Sequence, residues 1–341
     1  MYKSTVTPVV VIPNLNGGEE LIAAVQSLVE QSLPPHIIVV DNASSDNSIE
    51  LLQNKYPDIE IIRHSKNKGY AGGVNPGFRR AIALGATYTA PFNNDAIADR
   101  NWLKRLVAYL DDHPRAGVAA SKVLAADRER IDSTGEFYTI WGLAYPRGRR
   151  EYDTQRYDNQ TEIFGASGAS SLYRVSALKK VGLLDEDFFA YYEDVDLSFR
   201  LQLAGWKIAF VPNSIVYHKI GMTGDRVKGF YTRQTIKNLP LIWFKNIPSR
   251  YLWHVGWRLA LAETLFFGRA VARGQGWTAL KAACKGWYLL IRKIPERRRI
   301  QEAKKVSDAY IWHSMVHDLP PNAHALRQLR SIWWRVRRRQ A

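Results

Sequence analysis

The stretch YYEDVDLSFR places Glu193, Asp194 and Asp196 within four residues, and a carboxylate is a side chain that can take a proton from a hydroxyl. Acids in a helix's first turn are also favoured by its dipole, so Asp194 reads either as a plain helix start or as a general base. In FNNDA, Asp95 follows the apolar run TYTAPF and so sits at a strand's C-terminal end. One carboxylate there, with phosphate oxygens, would hold Mg²⁺ or Mn²⁺; an ordinary Asn/Asp turn is the alternative. His218 in VYHKIG follows the strand-like SIVY, and its imidazole would extend such a shell. Asp41 closes HIIVVD, where it either caps the next helix or accepts a hydrogen bond from the N3–H of uracil or thymine. In NKGYAGGVN, three glycines within five residues let backbone come close to a bound group.

These groups need a scaffold that gathers strand ends on one edge. VVVIP, a helix over residues 19–31, HIIVVDN, a helix over 45–55 with Asp46 near its start, IEIIRH, a glycine-rich turn, a helix over 77–84 and TYTAPF give βαβαβαβ order. That order predicts an α/β fold with a mixed, mostly parallel sheet flanked by helices, whose ligands sit at the C-terminal strand edge. No G-x-G-x-x-G or P-loop spacing occurs, which disfavours hydride transfer. After Asp95 come a helix, turns and antiparallel-looking segments, then FGASGASSLYR and a helix start at Val175. The helix carrying Asp194 is expected to run to about Ala204 and stop at Gly205, with Val195 and Phe199 holding its start against the sheet.

Charge divides the 341 residues unevenly. Residues 226–341 hold 24 Lys+Arg, 5 Asp+Glu and eight of the 11 tryptophans, net +19, whereas residues 1–225 are near neutral at −3. The reading is a near-neutral body over 1–225, the domain that carries the candidate acids and His218, and a basic, Trp-rich helical extension over 226–341. Residues 250–273 and 277–292 mix Trp, Leu and Phe with Arg and Lys at helical spacing, which suits an anionic membrane surface. Nucleic acid is the rival partner for so basic a tail, but no RRM, KH, zinc-finger or helix-turn-helix pattern is present, so none is expected. A single cysteine, Cys284, no secretory signal and no bilayer-spanning run point to a cytoplasmic protein, peripheral on the inner face of the membrane.

In order, VVVIPNLN, VVDNASSDNS, NKGYAGGVN, FNNDA, FGASG, GLLDEDFFAYYEDVDLSFR, AGWK and VYH resemble the family 2 glycosyltransferases, in particular their rhamnosyltransferase-like branch, over residues 8–221. The resemblance implies the GT-A fold, a nucleotide-diphosphate sugar donor and inversion at the anomeric centre in one displacement. It casts Asp194 as the base, Asp95 and His218 as metal ligands for Mg²⁺ or Mn²⁺, and Asp41 as the contact to the nucleotide base. Donor contacts are implied for Pro13, Asn14, Asn67, Gly69, Gly72 and Asn94, and acceptor contacts for Gly165, Ala166 and Glu193. The branch implies dTDP-rhamnose as donor, with UDP- or GDP-sugars the alternative on the same fold, and the family and the basic tail together imply a lipid-linked glycan acceptor in cell-surface polysaccharide assembly of the O-antigen kind. Asn93 and Asn94 stand where many relatives carry an acid. LQLAGW replaces the Q-x-x-R-W of processive synthases, so one sugar or few per encounter is expected.

Overall fold

The computed structural model describes residues 7–219, 227–321, 323 and 327. Strand β1 (Val9–Asn14), helix α1 (Gly18–Val29), β2 (His36–Asp41), α2 (Ser48–Lys55), β3 (Glu60–Arg63), α3 (Gly69–Ala83) and β4 (Tyr88–Pro91) alternate as the sequence predicts. Then follow β5 (Ala96–Ala98), α4 (Trp102–Asp112), β6 (Ala116–Ala125), β7 (Ile131–Ser133), the hairpin β8 (Glu136–Tyr138) and β9 (Ala144–Pro146), β10 (Leu172–Arg174), α5 (Val175–Val181), α6 (Glu193–Leu203) and the long β11 (Lys207–His218). The extension contributes α7 (Phe230–Asn246), α8 (Leu252–Ala272), α9 (Gly276–Arg292), α10 (Ile294–Glu302) and α11 (Asp308–Ser314).

The main sheet runs β3-β2-β1-β4-β10-β6-β11-β5, with β7 on β6. β3, β2, β1 and β4 are parallel, β10 is antiparallel to β4 and β6, β11 is parallel to β6, and β5 is antiparallel to β11. Side chains alternate across a strand, so Val10, Ile12 and Val39 enter one core with α1, α2 and α4 while Val9, Val11, Ile38 and Val40 enter another with α3, α5 and α6. Both faces are covered, which is why these strands read as continuous apolar runs.

Two local expectations are corrected. The glycine-rich segment is not a turn before a helix at 77, because α3 already begins at Gly69. Pro76 lies inside that helix and has no N–H for the Gly72 carbonyl, and His64 Nε2 contacts that oxygen instead at 3.1 Å. Val195 and Phe199 do not face the sheet either. They join Tyr138, Phe164 and Phe188 in a core completed by Leu241, Ile242, Leu289 and Ile311 of the extension, while Leu197 and Leu201 of α6 face the sheet. The helix does stop as read, with Gly205 at φ +84°.

The expected boundary at residues 225/226 lies outside the described residues, as do Gly221 and the terminal arginine run. On its C-terminal side α7 lies between α6 and the α8–α9 pair. A buried ion network ties the parts: the Lys245 ammonium, fully buried, meets Asp185 at 2.5 Å, Asp196 at 2.9 Å and Glu296 at 3.0 Å. Lys293 adds contacts to Asp185 and Asp187 at 2.7 and 2.9 Å, and Arg200 reaches Asp196 at 2.9 Å. Asp196, one of the three clustered acids, is therefore a structural ion-pair partner.

Candidate active site

The register of β1 on β2 sets Asn14 opposite Asp41, so both stand at the same C-terminal edge. Asn14 is fully buried; its amide donates to Ser44 and Ser48 hydroxyls at 3.1 and 2.9 Å, and its oxygen accepts from Asn94 Nδ2 at 2.9 Å. Asp41 Oδ1 accepts from the Ser44 N–H at 2.9 Å, which braces the loop, while helix α2 is met by Asp46, whose Oδ1 accepts from the Ser48 N–H at 3.2 Å. Asp41 also lines a polar cavity of about 370 Å³ with Ser44, Asp46, Gln53 and Arg63. Next along the edge, Asn42 donates to Asn67 Oδ1 at 3.1 Å and to the Gly69 carbonyl at 2.9 Å, and Asn67 Oδ1 accepts from the Gly69 N–H at 2.8 Å. Glycine is required at 69: φ is +72°, and a Cβ would overlap the Phe189 carbonyl. At Gly72 the open space is limited by Lys68, and at Gly73 a Cβ would stand 3.0 Å from Pro13.

Asp95 lies in the short turn between β4 and β5, directly after Asn94. Its Oδ1 is 3.1 Å from His218 Nε2 at the end of β11, and His218 Nδ1 is 2.8 Å from Asp132 Oδ2. Burial works against protonation of this imidazole, but hydrogen bonds to Asp132 and Asp95 outweigh it and raise its pKa to about 9. Nε2 also lies 3.0 Å from Asn93 Nδ2, so it has an acceptor when protonated and a donor when bare. Among the described residues no three His, Cys, Asp or Glu side chains form a closed metal cage. A divalent cation shared with substrate oxygens still fits: Asp95 and Nε2 converge, Asp132 orients the ring from behind, and Asn93 Oδ1 is a buried oxygen without a partner among the described residues.

Asp194 sits in the first turn of α6, half-buried. Its Oδ2 accepts from the Gly168 N–H at 2.9 Å and its Oδ1 from the Val195 N–H at 2.8 Å. Burial raises its pKa, and the backbone donors from Gly168 and Val195 oppose that rise. Glu193 is more deeply buried; desolvation and the neighbouring Asp194 charge push it up to about 8, and its Oε2 has no partner among the described residues. The loop 167–169 is pinned from both sides. The Asn93 N–H donates to the Ala169 carbonyl at 3.1 Å, the Tyr70 hydroxyl donates to the Gly168 carbonyl at 2.5 Å, and Gly168 reaches Asp194. One small loop therefore separates the Asn93–Asp95 turn from the Asp194 carboxylate.

The segment leading into α6 is strained: Phe189, Tyr191 and Tyr192 take φ of 64°, 66° and 73°. Non-glycine residues persist there only when their surroundings over-determine them. Here α7 supplies the constraint. Asn238 Nδ2 donates to the carbonyls of Phe188, Ala190 and Tyr191 at 3.0, 3.0 and 2.8 Å, and Lys237 Nζ donates to those of Asp187 and Phe188 at 2.7 and 3.0 Å.

Of the residues singled out from the sequence, Asn14 and Asp41 pair along this edge, Asn67 bonds Gly69 there, Asn94 joins through Asn14, Asp95 meets His218 and Asp194 reaches loop 167–169, while others are enclosed. Ala166 is fully buried with its N–H on Ser198 Oγ at 3.2 Å, and the Gly165 N–H and C=O both pair with Glu136. The sequence reading missed Asn42, Tyr70, Asp132, Gly168, Lys237 and Asn238. Asn42, Tyr70 and Gly168 lie inside the quoted stretches VVDNASSDNS, NKGYAGGVN and FGASG, whereas Asp132, Lys237 and Asn238 lie in none of them.

Comparison with known proteins bears on this arrangement. Residues 9–182 match the family described as Glycosyl transferase family 2, a span that stops short of Asp194 and His218. The N-acetylglucosaminyl-diphospho-decaprenol L-rhamnosyltransferase of Mycobacterium tuberculosis is 28% identical over 241 residues, 64% of this chain and 78% of that protein. The dTDP-rhamnosyl transferase RfbF of Shigella flexneri is 26% identical over 216 residues, 62% of this chain and 68% of that one. Among solved structures, the mannosyltransferase PcManGT from Pyrobaculum calidifontis, in complex with GDP-Man and Mn²⁺, superposes with a TM-score of 0.53 at 16% identity, covering 92% of this chain and 86% of that one.

Proposed function

This chain belongs to glycosyl transferase family 2 and has a GT-A-like glycosyltransferase fold, and from that premise we propose an inverting hexosyltransferase that moves rhamnose from dTDP-rhamnose to a lipid-linked glycan. The observation that carries the reaction type is the pinned loop 167–169, which holds Asp194 on one side and the Asn93–Asp95 turn on the other. Asp194 takes the proton of the acceptor hydroxyl as its oxygen attacks the anomeric carbon, and the bond from that carbon to the diphosphate oxygen breaks on the opposite side. Asp95 and His218 would hold Mg²⁺ or Mn²⁺, which supplies positive charge against the departing diphosphate. Asn14 and Asn94 fix each other through the 2.9 Å hydrogen bond and so shape the donor floor, while Gly69 and Gly73 let the start of α3 close on Phe189 and Pro13 beside it. Asp41 accepts the pyrimidine N3–H with Oδ2, which has no hydrogen-bond partner among the described residues.

The Asp41 carboxylate suits the N3–H that uracil and thymine share, and the choice of thymidine and rhamnose rests on two relatives named for rhamnosyl transfer. The lipid-linked acceptor, the site on the inner membrane face and the division into a catalytic unit and a membrane-facing extension are parts of the same proposal. The test is transfer and donor hydrolysis across dTDP-, UDP- and GDP-sugars with Mg²⁺ or Mn²⁺, in detergent with membrane lipid extract. Turnover with dTDP-rhamnose alone supports the reading. Turnover only with a GDP- or UDP-sugar replaces the donor, and none with any donor overturns the proposed activity.

A further inference from the structure

The α8–α9 pair has an outer surface that no other described element covers. Each helix buries one stripe against the rest of the protein: Val255, Leu259 and Ala262 on α8, and Ala279, Ala282, Gly286 and Leu289 on α9. Contact is close on that side, since a Cβ on Gly286 would stand 3.1 Å from the Lys237 carbonyl and one on Gly256 would stand 2.8 Å from the Trp243 ring. The opposite stripe should then be polar, as on an ordinary surface helix. Instead Trp253, Trp257 and Leu261 follow one another at i, i+4, i+8 on the outside of α8, and Trp277, Trp287 and Ile291 line the outside of α9. Four of these are about two-thirds exposed or more: Trp253 at 78%, Ile291 at 69%, Trp277 at 68% and Trp287 at 66%.

Charge narrows the partner. Residues 250–294 contain eight Lys+Arg and one acid, Glu263, whose carboxyl burial raises to a pKa of about 8. The cations border the aromatic stripes: Arg258 lies 4.4 Å from the Trp257 ring centroid, Lys281 lies 5.1 Å from that of Trp277, and Lys285 lies 5.1 Å from that of Tyr288. We propose that the outer face of α8 and α9 is a docking surface for an anionic lipid bilayer, lying in its interface with the tryptophans at headgroup depth. No described helix is long and apolar enough to cross a membrane, so the geometry is that of a helix pair lying on the surface. Aliphatic Leu261 and Ile291 gain from acyl chains and nothing from stacked bases, which favours lipid over nucleic acid. A second copy of the same face would bring like charges together. The purpose of the surface rests on the reading of a lipid-linked acceptor, but its existence is read separately from turnover.

The test uses the full chain with sedimenting vesicles of phosphatidylcholine alone and of phosphatidylcholine with phosphatidylglycerol. The wild type is expected to sediment with the anionic vesicles, less so as salt rises, and its tryptophan emission to be quenched by brominated lipid. The triple variant Trp253→Ser, Trp277→Ser, Trp287→Ser should lose about tenfold or more in partitioning, with circular dichroism and donor hydrolysis unchanged because these side chains are largely exposed and belong to none of the core clusters of the extension. A second variant, Lys281→Gln with Lys285→Gln, should weaken binding to anionic vesicles and not to neutral ones. The proposal is overturned if the wild type ignores both vesicles, if the Trp variant binds as well as the wild type, if single-stranded DNA displaces the vesicles, or if the Trp substitutions dissociate a dimer. Loss of donor hydrolysis with vesicle binding intact would instead count against the catalytic reading alone.

Discussion

Asp194→Asn isolates the proton-transfer role with the smallest change of shape. In the wild type both carboxylate oxygens accept backbone N–H bonds, from Gly168 at 2.9 Å and Val195 at 2.8 Å. An asparagine keeps one acceptor oxygen and turns an NH₂ toward the other N–H, which costs about 1–3 kcal/mol for the donor left unpaired. Replacing a carboxylate whose pKa burial raises also removes a desolvation penalty, so the two effects offset and the net stability change should stay within about 2 kcal/mol. The kinetic effect is larger: removing a general base lowers turnover by about 10²–10⁴, or roughly 3–5 kcal/mol in the barrier. The assay is steady-state transfer to a lipid acceptor, with donor binding by calorimetry and a thermal melt on the same samples. Turnover should fall at least about a hundredfold while donor affinity is kept. In the wild type, activity should also climb with pH through an ionisation above the ordinary aspartate value of about 3.9, and this limb should vanish in the variant. Turnover within about tenfold of wild type, with the acid limb intact, would return Asp194 to the role of a helix-start acid.

Asn238→Leu removes the amide that gathers three carbonyls of the strained turn; it should cost about 1–3 kcal/mol in stability and lower turnover more than donor affinity, and unchanged turnover would show that the turn keeps its shape without α7. Gly69→Ala and Gly85→Ala share φ of +72°, but only the first meets the Phe189 carbonyl, so both should cost about 1 kcal/mol or more in a melt while only Gly69→Ala lowers activity. Lys245→Met leaves buried carboxylates uncompensated and should cost about 3–5 kcal/mol at neutral pH in chemical denaturation. Burial alone would raise Asp185 and Asp196, but Lys245 with Lys293 or Arg200 holds both below the ordinary carboxylate value. Their stabilisation is thus complete above about pH 5 and lost as pH falls below about 4, so the gap between wild type and Lys245→Met should narrow on acidification. A gap independent of pH would exclude the ion pairs as its source.

The parallel half of the sheet was legible because its strands are buried on both faces and its turns are marked by Asn, Asp and Gly, so strand ends and the residues on them could be placed together. The start of α3 was not, because its glycines serve close approach, to Phe189 at Gly69 and to Pro13 at Gly73, against their low helix propensity. Asp132 meets His218 across 86 residues of chain, and Asn238 meets Tyr191 across 47, separations at which no local pattern survives. The clearest case is the acid cluster itself. Glu193, Asp194 and Asp196 are equivalent to a periodicity or dipole argument, and helix α6 is buried so widely that its apolar spacing does not say which side meets the sheet. What separates them is carried by other elements. Lys245, Arg200 and Asn246 hold Asp196 ionised and bonded inside the core. Glu193 is enclosed with its Oε2 unpartnered among the described residues, and Gly168 turns the Asp194 carboxylate toward the loop beside the Asn93–Asp95 turn. Lys245 and Asn246 both lie in α7, so the basic extension is what removes Asp196 from the candidates for the proposed base.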